Sequence, residues 1–481
     1  MNGGPCLLCQ EDVELERKIQ ELQDKRRNLQ TRMNASHDPF ILKFPPEISS
    51  HILLLSLQEW DYDPFYECSQ SHDGIRNELP TPFLLSTICR GWRQLARSTP
   101  SLWTTVSFTL EKPTKVPLLE AIRDWLLLSG GLPLKIWISS YEGKNPVSQE
   151  MYGPVINALN QHSGRWQKLS LCIPASYFRH FRGSSPTSSL YDLQIINSGD
   201  LDTDGLLPAF RMNFKPSPTN LSMCSIRLSA NDIGCGNLTS LSMQYMSVND
   251  CIVAIRHAPL LESCEMRQID SRGDVSTPNT NFRHTRLRDL DLGYVREDLF
   301  IDQLLRLMEC PALEEFSSRQ RLSIAMVDSL VSFFKRSESR LKELGLYGDG
   351  DTEEKLAVEF IKKLLNAVPY LHGLFLGGNT LPIDDLLEEL SSSPPILAGG
   401  TPGFLPRLQS LALYSYDISK WEYIPYIYTW PHRKHLRMTI SPYDRSFIVI
   451  DDDTQDKISQ LIDQGANIHV LKRGKDYFRS A

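Results

Sequence analysis

Three features that would place this chain in a broad functional class are missing from its sequence. No apolar run reaches eighteen residues, the length that marks a transmembrane helix, so we expect no membrane contact. The segment MNGGPCLLCQEDVELERK has no basic stretch followed by an apolar one, as a secretory signal would have. A net charge of −7 and a pI near 5.9 lack the basic excess of nucleic-acid-binding proteins. We therefore expect a cytoplasmic or nuclear protein that binds no nucleic acid.

The common signatures of catalysis are absent as well. The sequence contains no GxSxG, HExxH, GxxxxGK[ST] or GxGxxG motif, so it indicates neither an enzyme nor a cofactor. The acidic run VIDDDTQD at residues 449–456 could hold a cation, but it is more typical of a solvated turn. The sequence therefore favours a binding protein.

Cysteine is present but does not form a disulfide framework. The ten cysteines are scattered, and without a secretory signal they favour reduced, mostly buried thiols. Cys6 and Cys9 have metal-ligand spacing, yet no second CxxC or HxxxH exists to complete four ligands. A zinc site would need two chains. The alternative is a pair of free thiols in a disordered N-terminus, residues 1–10.

Residues 11–36 predict a coiled-coil-like helix. Leu15, Ile19, Leu22, Leu29 and Met33 follow heptad spacing, and Arg26 occupies a position where an apolar residue is due. About three heptads are near the lower limit for a stable coiled coil. Two interpretations stay open, namely a weak dimer through residues 15–33 and an amphipathic helix on the protein's own surface.

Residues 40–107 predict a small all-α domain. FPPEISSHILLLSL begins with two prolines, which suit a first helical turn, and LLSTICRGWRQLA resumes helical spacing. A long polar loop, residues 58–81, separates them, and STPSLW ends the domain. So short a segment cannot bury two tryptophans and some ten aliphatic residues within itself. The surplus must meet either neighbouring repeats or a partner.

The rest of the chain carries an internal repeat. An apolar-x-x-apolar-x-apolar pattern recurs, for example as LTSLSM, LRDLDL, LKELGL, LHGLFL and LQSLAL. From residue 238 the successive starts lie 23, 26, 26, 28, 30 and 37 residues apart, and most follow a helical stretch. Such units bury their apolar faces only by stacking, which predicts an α/β solenoid with a parallel sheet over residues 116–470 and a tail at 471–481. We expect degenerate units between residues 196 and 237.

The region from Phe44 to Trp103 resembles the F-box, and the chain apart from its N-terminal helix resembles fungal F-box proteins with leucine-rich repeats. The resemblance is carried by FPPEI, by ICRGW with its flanking basic residues, and by the terminal LW. It implies a substrate adaptor of an SCF-type, cullin-RING ubiquitin ligase, whose F-box binds a Skp-type adaptor protein and through it a cullin. The alternative is a non-catalytic interaction scaffold that uses the F-box-like segment only to cap the solenoid.

The resemblance also implies a set of adaptor-binding residues: Phe44, Pro45, Pro46, Ile48, Ile52, Leu53, Leu84, Leu85, Ile88, Trp92 and Trp103. Within it, Pro45, Ile48, Ile52, Leu84 and Leu85 are the better candidates for contact. The two tryptophans are more typical of the F-box core.

The repeats indicate a second site, for an unknown target protein. Side chains alternate along a strand, so residues between the buried leucines should form an exposed ribbon on the concave face. The ribbon should be acidic in the middle and aromatic towards its end. Its residues are Asp289, Asp291, Glu343, Gly345, Gly373, Phe375, Ser410 and Ala412, and Tyr414 and Tyr416 lie just beyond it. The alternative is an ordinary solvated sheet face that binds no ligand.

Overall fold

The structure is a computed structural model that describes most of the chain. The described residues are 6–37, 40, 43–57, 82–110, 118–140, 149–183, 189–199, 208–227, 232–269, 280–293, 298–348, 356–394, 403–414, 418–441, 450–472 and 475–478.

The chain divides into two compact units, Met1–Leu169 with Thr187–Ser189, and Ser170–Pro186 with Leu190–Ala481. The helices of the first unit are α1 (Leu7–His37), α2 (Pro46–Ser56), α3 (Pro82–Ile88), α4 (Arg90–Arg97), α5 (Leu118–Leu128) and α6 (Gln149–Asn160). A 3₁₀ turn spans Pro100–Trp103. Strands β1 (Thr105–Thr109) and β2 (Leu134–Ser139) pair in parallel. The chain passes from the first unit to the second within β3 (Trp166–Ile173).

The second unit alternates strands with helices along most of its length. Its strands are β4 (Asp192–Asn197), β5 (Asn220–Cys224), β6 (Ser240–Gln244), β7 (Ser263–Arg267), β8 (Phe282–Arg283), β9 (Asp289–Leu292), β10 (Met308–Glu309), β11 (Glu315–Ser318), β12 (Glu343–Gly348), β13 (Gly373–Gly378), β14 (Ser410–Tyr414), β15 (Arg437–Ile440), β16 (Ile468–Lys472) and β17 (Lys475–Asp476). Its helices are α7 (Val248–Arg256), α8 (Asp298–Leu307), α9 (Ile324–Ser337), α10 (Val358–Asn366), α11 (Ile383–Ser392), α12 (Tyr423–Ile427) and α13 (Asp452–Asp463).

The main sheet of this unit follows chain order, β4-β5-β6-β7-β9-β11-β12-β13-β14-β15-β16-β17. The pairs are parallel apart from β16 with β17, which is antiparallel. Strands β8 and β10 form a separate parallel pair. The predicted α/β class with a long parallel sheet is confirmed.

The repeated leucines account for the register of the sheet. Leu344 lies opposite Phe316 on one side and Leu374 on the other, and all three side chains are buried. Leu346 lies between Ser318 and Leu376 in the same way. A one-residue slip would turn these side chains to the opposite face, so the apolar pattern specifies the pairing.

Several helices of the second unit begin at a side-chain cap. The hydroxyl of Ser247 accepts a hydrogen bond from the amide of Asp250 at 3.1 Å. Ser323 does the same for Met326 at 3.2 Å, and the Asp451 carboxylate for Thr454 at 3.0 Å. Each cap satisfies a donor that the first helical turn leaves free, which explains where α7, α9 and α13 start.

The structure corrects the predicted boundaries in three places. Helix α1 begins at Leu7, so residues 7–10 are helical and were wrongly predicted to be disordered. Parallel pairing begins at β1, before residue 116. From β4 to β6 the described residues contain no helix, in the stretch where degenerate units were expected. Residues 475–476 form β17 and pair with β16, so the predicted tail contains a strand.

Candidate protein interaction sites

Helix α2 exposes an apolar stripe. Pro46 stands in its first turn, preceded by the N-cap Pro45. Ser49 and Leu53, four residues apart, are buried, whereas Ile48 and Ile52 are 48% and 39% exposed. Leu55 is 70% exposed on the same stripe because positions i, i+4 and i+7 share a helix face. Most of the apolar surface of this short helix therefore faces solvent.

Helix α3 repeats this arrangement. Leu85 and Ser86 are buried, while Leu84 and Ile88 are 51% and 52% exposed. Helices α2 and α3 both pack against α4, so both stripes belong to one small helical assembly. Together with Phe44 and Leu54 these side chains form what we call the apolar stripes: Phe44, Ile48, Ile52, Leu54, Leu55, Leu84 and Ile88. They carry most of the large exposed hydrophobic surface among the described residues between 43 and 103.

Three of the predicted adaptor-binding residues are core residues instead. Leu53, Leu85 and Trp103 are 1%, 6% and 0% exposed, so they cannot contact a partner without unfolding of the assembly. Their sequence neighbours Ile52 and Leu84 are equally apolar, and the packing of each helix decides which of the two is buried. Leu54 and Leu55 are exposed and were missed. The stripe Ile48, Ile52, Leu55 was the available signal for Leu55.

The buried aromatic residues hold the assembly together. The Phe83 ring contacts the ring of Trp103 edge to face at 5.1 Å and the ring of Trp125, on α5, at 5.0 Å. The indole of Trp103 donates a 2.7 Å hydrogen bond to the carbonyl of Ala96. Trp92 is half-buried against Phe40, with ring centroids 4.9 Å apart. The tryptophans therefore stabilise the fold, and the exposed aliphatic side chains remain available for contact.

The remaining predicted contact residues lie at the surface. Phe44 is 46% exposed, and Pro45 and Pro46 are exposed beside it. The guanidinium of Arg93 donates to the carbonyl of Ser86 at 2.9 Å and so fastens α4 to the end of α3. The predicted loop, residues 58–81, lies outside the described residues.

In the second unit, the side chains between the buried leucines form a separate surface, which we call the polar strand face. Asp289, Glu315 and Glu343 lie directly opposite one another on β9, β11 and β12. Glu265 and Asp291 lie opposite each other one row further along the strands. Neighbouring strands are about 4.8 Å apart, so these five carboxylates form one acidic patch. Glu315 was missed because its repeat, LEEFSS, lacks the last apolar position.

Partial burial, together with the charges of the acidic patch, raises the pKa of Glu315. Partial burial is the largest cause, and the charges of Asp289 and Glu343 on the flanking strands add to it. Neighbouring hydrogen-bond donors and one arginine compensate part of the negative charge of the patch. Ser263 donates a 2.8 Å hydrogen bond to Asp289, and Ser242 donates a 2.7 Å one to Glu265, which also pairs with Arg267. Like charges opposite one another destabilise a sheet, so the patch is not explained by folding alone.

Aromatic side chains follow the acidic patch towards the C-terminal end of the sheet. Phe375 is partly exposed and lies between Gly345 and Ala412 in the register. Tyr414 is partly exposed, and Tyr347, which was missed, has the Arg319 guanidinium 5.7 Å from its ring centroid. Gly345, Gly373 and Ala412 were expected to be exposed but are buried. The side chains of Ser317 and Tyr347 lie close to Gly345, and that of Glu343 lies close to Gly373. Tyr416 lies outside the described residues.

Among the described residues, no three His, Cys, Asp or Glu side chains are grouped so as to hold a metal ion. Cys6 and Cys9 are both exposed, and the pKa of Cys6 is lowered by backbone hydrogen bonds from Cys9 and Leu8. No helix in the described part of the chain has both the length and the apolar content to span a membrane.

No protein family model matches the chain, and no curated protein matches it.

Proposed function

We propose that this protein is a substrate-recognition subunit of a cullin-RING ubiquitin ligase. In this proposal the F-box-like assembly, residues 44–103, binds a Skp-type adaptor and through it a cullin. The second unit acts as a leucine-rich-repeat-like solenoid that binds the target protein. The protein supplies binding surfaces, and ubiquitin transfer takes place on other subunits.

The observation that carries this proposal is the exposure of the apolar stripes. Ile48, Ile52 and Leu55 on α2, with Leu84 and Ile88 on α3, expose aliphatic surface that a folded protein normally buries. Their positions coincide with the FPPEI and LLSTI segments that resemble the F-box. Covering them with a partner removes that surface from water, which is the main favourable contribution to protein association.

The scaffold alternative has one observation in its favour. Phe83 and Trp103 pack against Trp125 of α5, as a segment that caps the repeats would. That contact uses the buried side of the assembly and leaves the apolar stripes uncovered. Capping therefore accounts for the core aromatics but not for the exposed aliphatic residues, and the adaptor hypothesis accounts for both.

The polar strand face supports the target-binding half of the proposal. Its acidic patch and the neighbouring Phe375 favour a target segment with basic side chains beside apolar ones. Asp291→Lys combined with Phe375→Ala should change the set of proteins crosslinked to the chain in cells while adaptor binding persists. An unchanged set would exclude this face as the recognition surface.

Co-purification with a Skp-type adaptor tests the main proposal. Ile48→Asp with Leu84→Asp should weaken adaptor binding on the order of a hundredfold or more, because each carboxylate would be buried without a partner. The matched control is Leu127→Asp with Leu132→Asp, since these residues are 78% and 40% exposed on the first unit but lie outside the stripes.

The control pair should bind the adaptor as the wild type does, and circular dichroism should show that both variants fold. Failure of the wild-type chain to bind would favour the scaffold alternative. Equal binding by the wild type and by the variant with both aspartates in the stripes would place the contact elsewhere.

A further inference from the structure

Helix α1 carries a second exposed apolar surface, which the proposed function does not use. Leu8, Leu15, Leu22 and Leu29 recur at seven-residue intervals and are 74%, 54%, 64% and 55% exposed. Leu8 joins the series because the helix begins at Leu7. Four leucines in one heptad position are typical of a two-stranded coiled coil.

The seam of a coiled coil, where the two helices meet, contains two positions of each heptad. The leucines occupy one of them, and the second alternates apolar and charged residues. Ile19 and Met33 are apolar and about half exposed, whereas Asp12 and Arg26 occupy the two remaining positions of that row. Several charges outside the seam pair within the helix, as Arg17 does with Glu14 and Glu21. Asp12 and Arg26 form no ion pair within the described part of the chain. The two charges on the seam are therefore available to a partner.

A parallel, in-register pair of α1 helices would place like charges together. Asp12 would face Asp12 of the second copy, and Arg26 would face Arg26, both at the centre of the interface. Glu11 would also lie beside Glu16 of the second copy on the flank. Each of these contacts opposes association.

An antiparallel pair resolves these conflicts in a single register. In this register, two residues lie level with each other when their numbers add up to 41. Each of the eight seam positions of one helix is then level with a seam position of the second copy. In this register Ile19 lies level with Leu22 of the second copy, Arg26 with Leu15, and Met33 with Leu8. Asp12 then comes within three residues, about 4.5 Å along the axis, of Arg26 of the second copy. Opposite charges meet at the seam twice, by symmetry.

The flanking positions favour the same orientation on balance. Glu11 lies beside Arg32 of the second copy, which is attractive, and Lys18 lies beside Lys25, which is repulsive. The repulsion is reduced because Lys18 is 3.6 Å from Glu14 on its own helix. The antiparallel dimer therefore has four attractive and two repulsive charge contacts. The parallel dimer has no attractive charge contact and four repulsive ones.

We propose that α1 docks on α1 of a second copy of this chain as an antiparallel coiled coil, with Ile19 level with Leu22. The proposal is independent of adaptor binding. It also bears on Cys6 and Cys9. The two Cys9 residues would lie about 35 Å apart along the axis, so the two CxxC pairs could not share one zinc ion.

The oligomeric state of the full chain is the first test. Sedimentation velocity should show a reversible dimer, and Leu22→Asp should weaken it on the order of a hundredfold or more. The matched control is Val13→Asp, because Val13 is 65% exposed on α1 but outside the seam. A wild-type chain that stays monomeric at about 100 µM, or equal effects of the two variants, would overturn the proposal.

Charge reversal tests the orientation. Asp12→Arg should weaken the antiparallel dimer about threefold to tenfold, since the introduced guanidinium would then meet Arg26 of the second copy. Adding Arg26→Asp to the same chain should restore the wild-type affinity. In a parallel dimer, like charges would still face each other after either change. If Asp12→Arg does not weaken the dimer and the added Arg26→Asp has no effect, the antiparallel assignment is overturned.

Disulfide trapping gives an independent test of register. In a chain with Cys6→Ser and Cys68→Ser, the antiparallel register places Cys9 beside Gln30 of the second copy. Gln30→Cys should therefore yield a disulfide between Cys9 and the introduced cysteine of the second copy under mild oxidation, identified by peptide mass spectrometry. Without Gln30→Cys the chain should not crosslink. A disulfide between the two Cys9 residues, which this register holds about 35 Å apart, would overturn the proposal, as would a capture of α1 solely by another protein.

Discussion

The guanidinium Nη2 of Arg433 donates a 2.7 Å hydrogen bond to the carbonyl of Phe404 in a site where the arginine side chain is fully buried. Its Nε and Nη1 atoms have no hydrogen-bond partner among the described residues. Burial lowers the pKa of Arg433 to about 10. A single carbonyl compensates only part of the cost of removing this charge from water.

Arg433→Met should therefore leave stability unchanged or raise it by about 1–3 kcal/mol at neutral pH. The folded pKa is lowered, so the charged form is disfavoured by folding at every pH below it. Methionine has a similar length and no buried donors. Urea unfolding would measure the change. A clear loss of stability would mean that the guanidinium is compensated more fully than its contact with Phe404 indicates.

Leu344→Ala should destabilise the second unit by about 2–5 kcal/mol, because the side chain is fully buried between Phe316 and Leu374 and leaves a cavity. The control is Leu127→Ala in the first unit, where the leucine is 78% exposed and the change should stay within about 0.5 kcal/mol. Similar effects of the two substitutions would contradict the stacked-leucine core.

Glu315→Gln should stabilise the protein by about 0.2–1 kcal/mol at pH 7. The folded pKa of Glu315 is raised by partial burial and by Asp289 and Glu343. Protonation of Glu315 therefore contributes favourably to the free energy of unfolding, and this contribution is complete below the unfolded pKa. That contribution is lost as the pH rises through the folded pKa, and at pH 7 the charge is a cost.

The gain from Glu315→Gln should accordingly shrink when the pH falls below about 4, where both side chains are neutral. Thermal unfolding at several pH values would measure this dependence. Glu120→Gln on the exposed surface of α5 is the control and should show no comparable gain. A gain that is independent of pH would argue against charge repulsion as its cause.

The cysteines should divide into two reactivity classes. Cys6 and Cys9 are exposed and should react with a maleimide in the native protein. Cys264 and Cys310 are buried, and burial raises the pKa of both thiols, that of Cys310 to about 12. They should react only after unfolding, which mass spectrometry of labelled peptides would show. Native labelling of Cys310 at the rate of Cys9 would contradict the packing of that region.

The raised thiol pKa values also predict alkaline sensitivity. The favourable contribution of a protonated Cys310 is complete below its unfolded pKa, near 9, and is lost as the pH rises towards about 12. Stability should therefore fall across that interval more steeply in the wild type than in Cys310→Ala. Parallel stability profiles for the two proteins would rule this contribution out.

The sequence alone determined the elements whose burial follows from their own periodicity. Leu290 and Leu292, or Leu344 and Leu346, are spaced so that a strand must turn both to the same side, and the structure buries all four. The heptad spacing of Leu15, Ile19 and Leu22 likewise predicted a helix with one apolar face. In both cases a local repeat contains the whole signal.

Only the tertiary structure decided which of two adjacent apolar residues is buried. Ile52 and Leu53 are chemically alike, yet one is 39% exposed and the other 1%, because α2 presents one face to its neighbouring elements. The same holds for Leu84 and Leu85 on α3. The acidic patch also depends on register, since Asp289, Glu315 and Glu343 are brought together by parallel pairing of strands that lie more than twenty residues apart in the chain. A helix face or a strand pair exists only once its neighbours have packed, which is why local pattern could not assign these contacts.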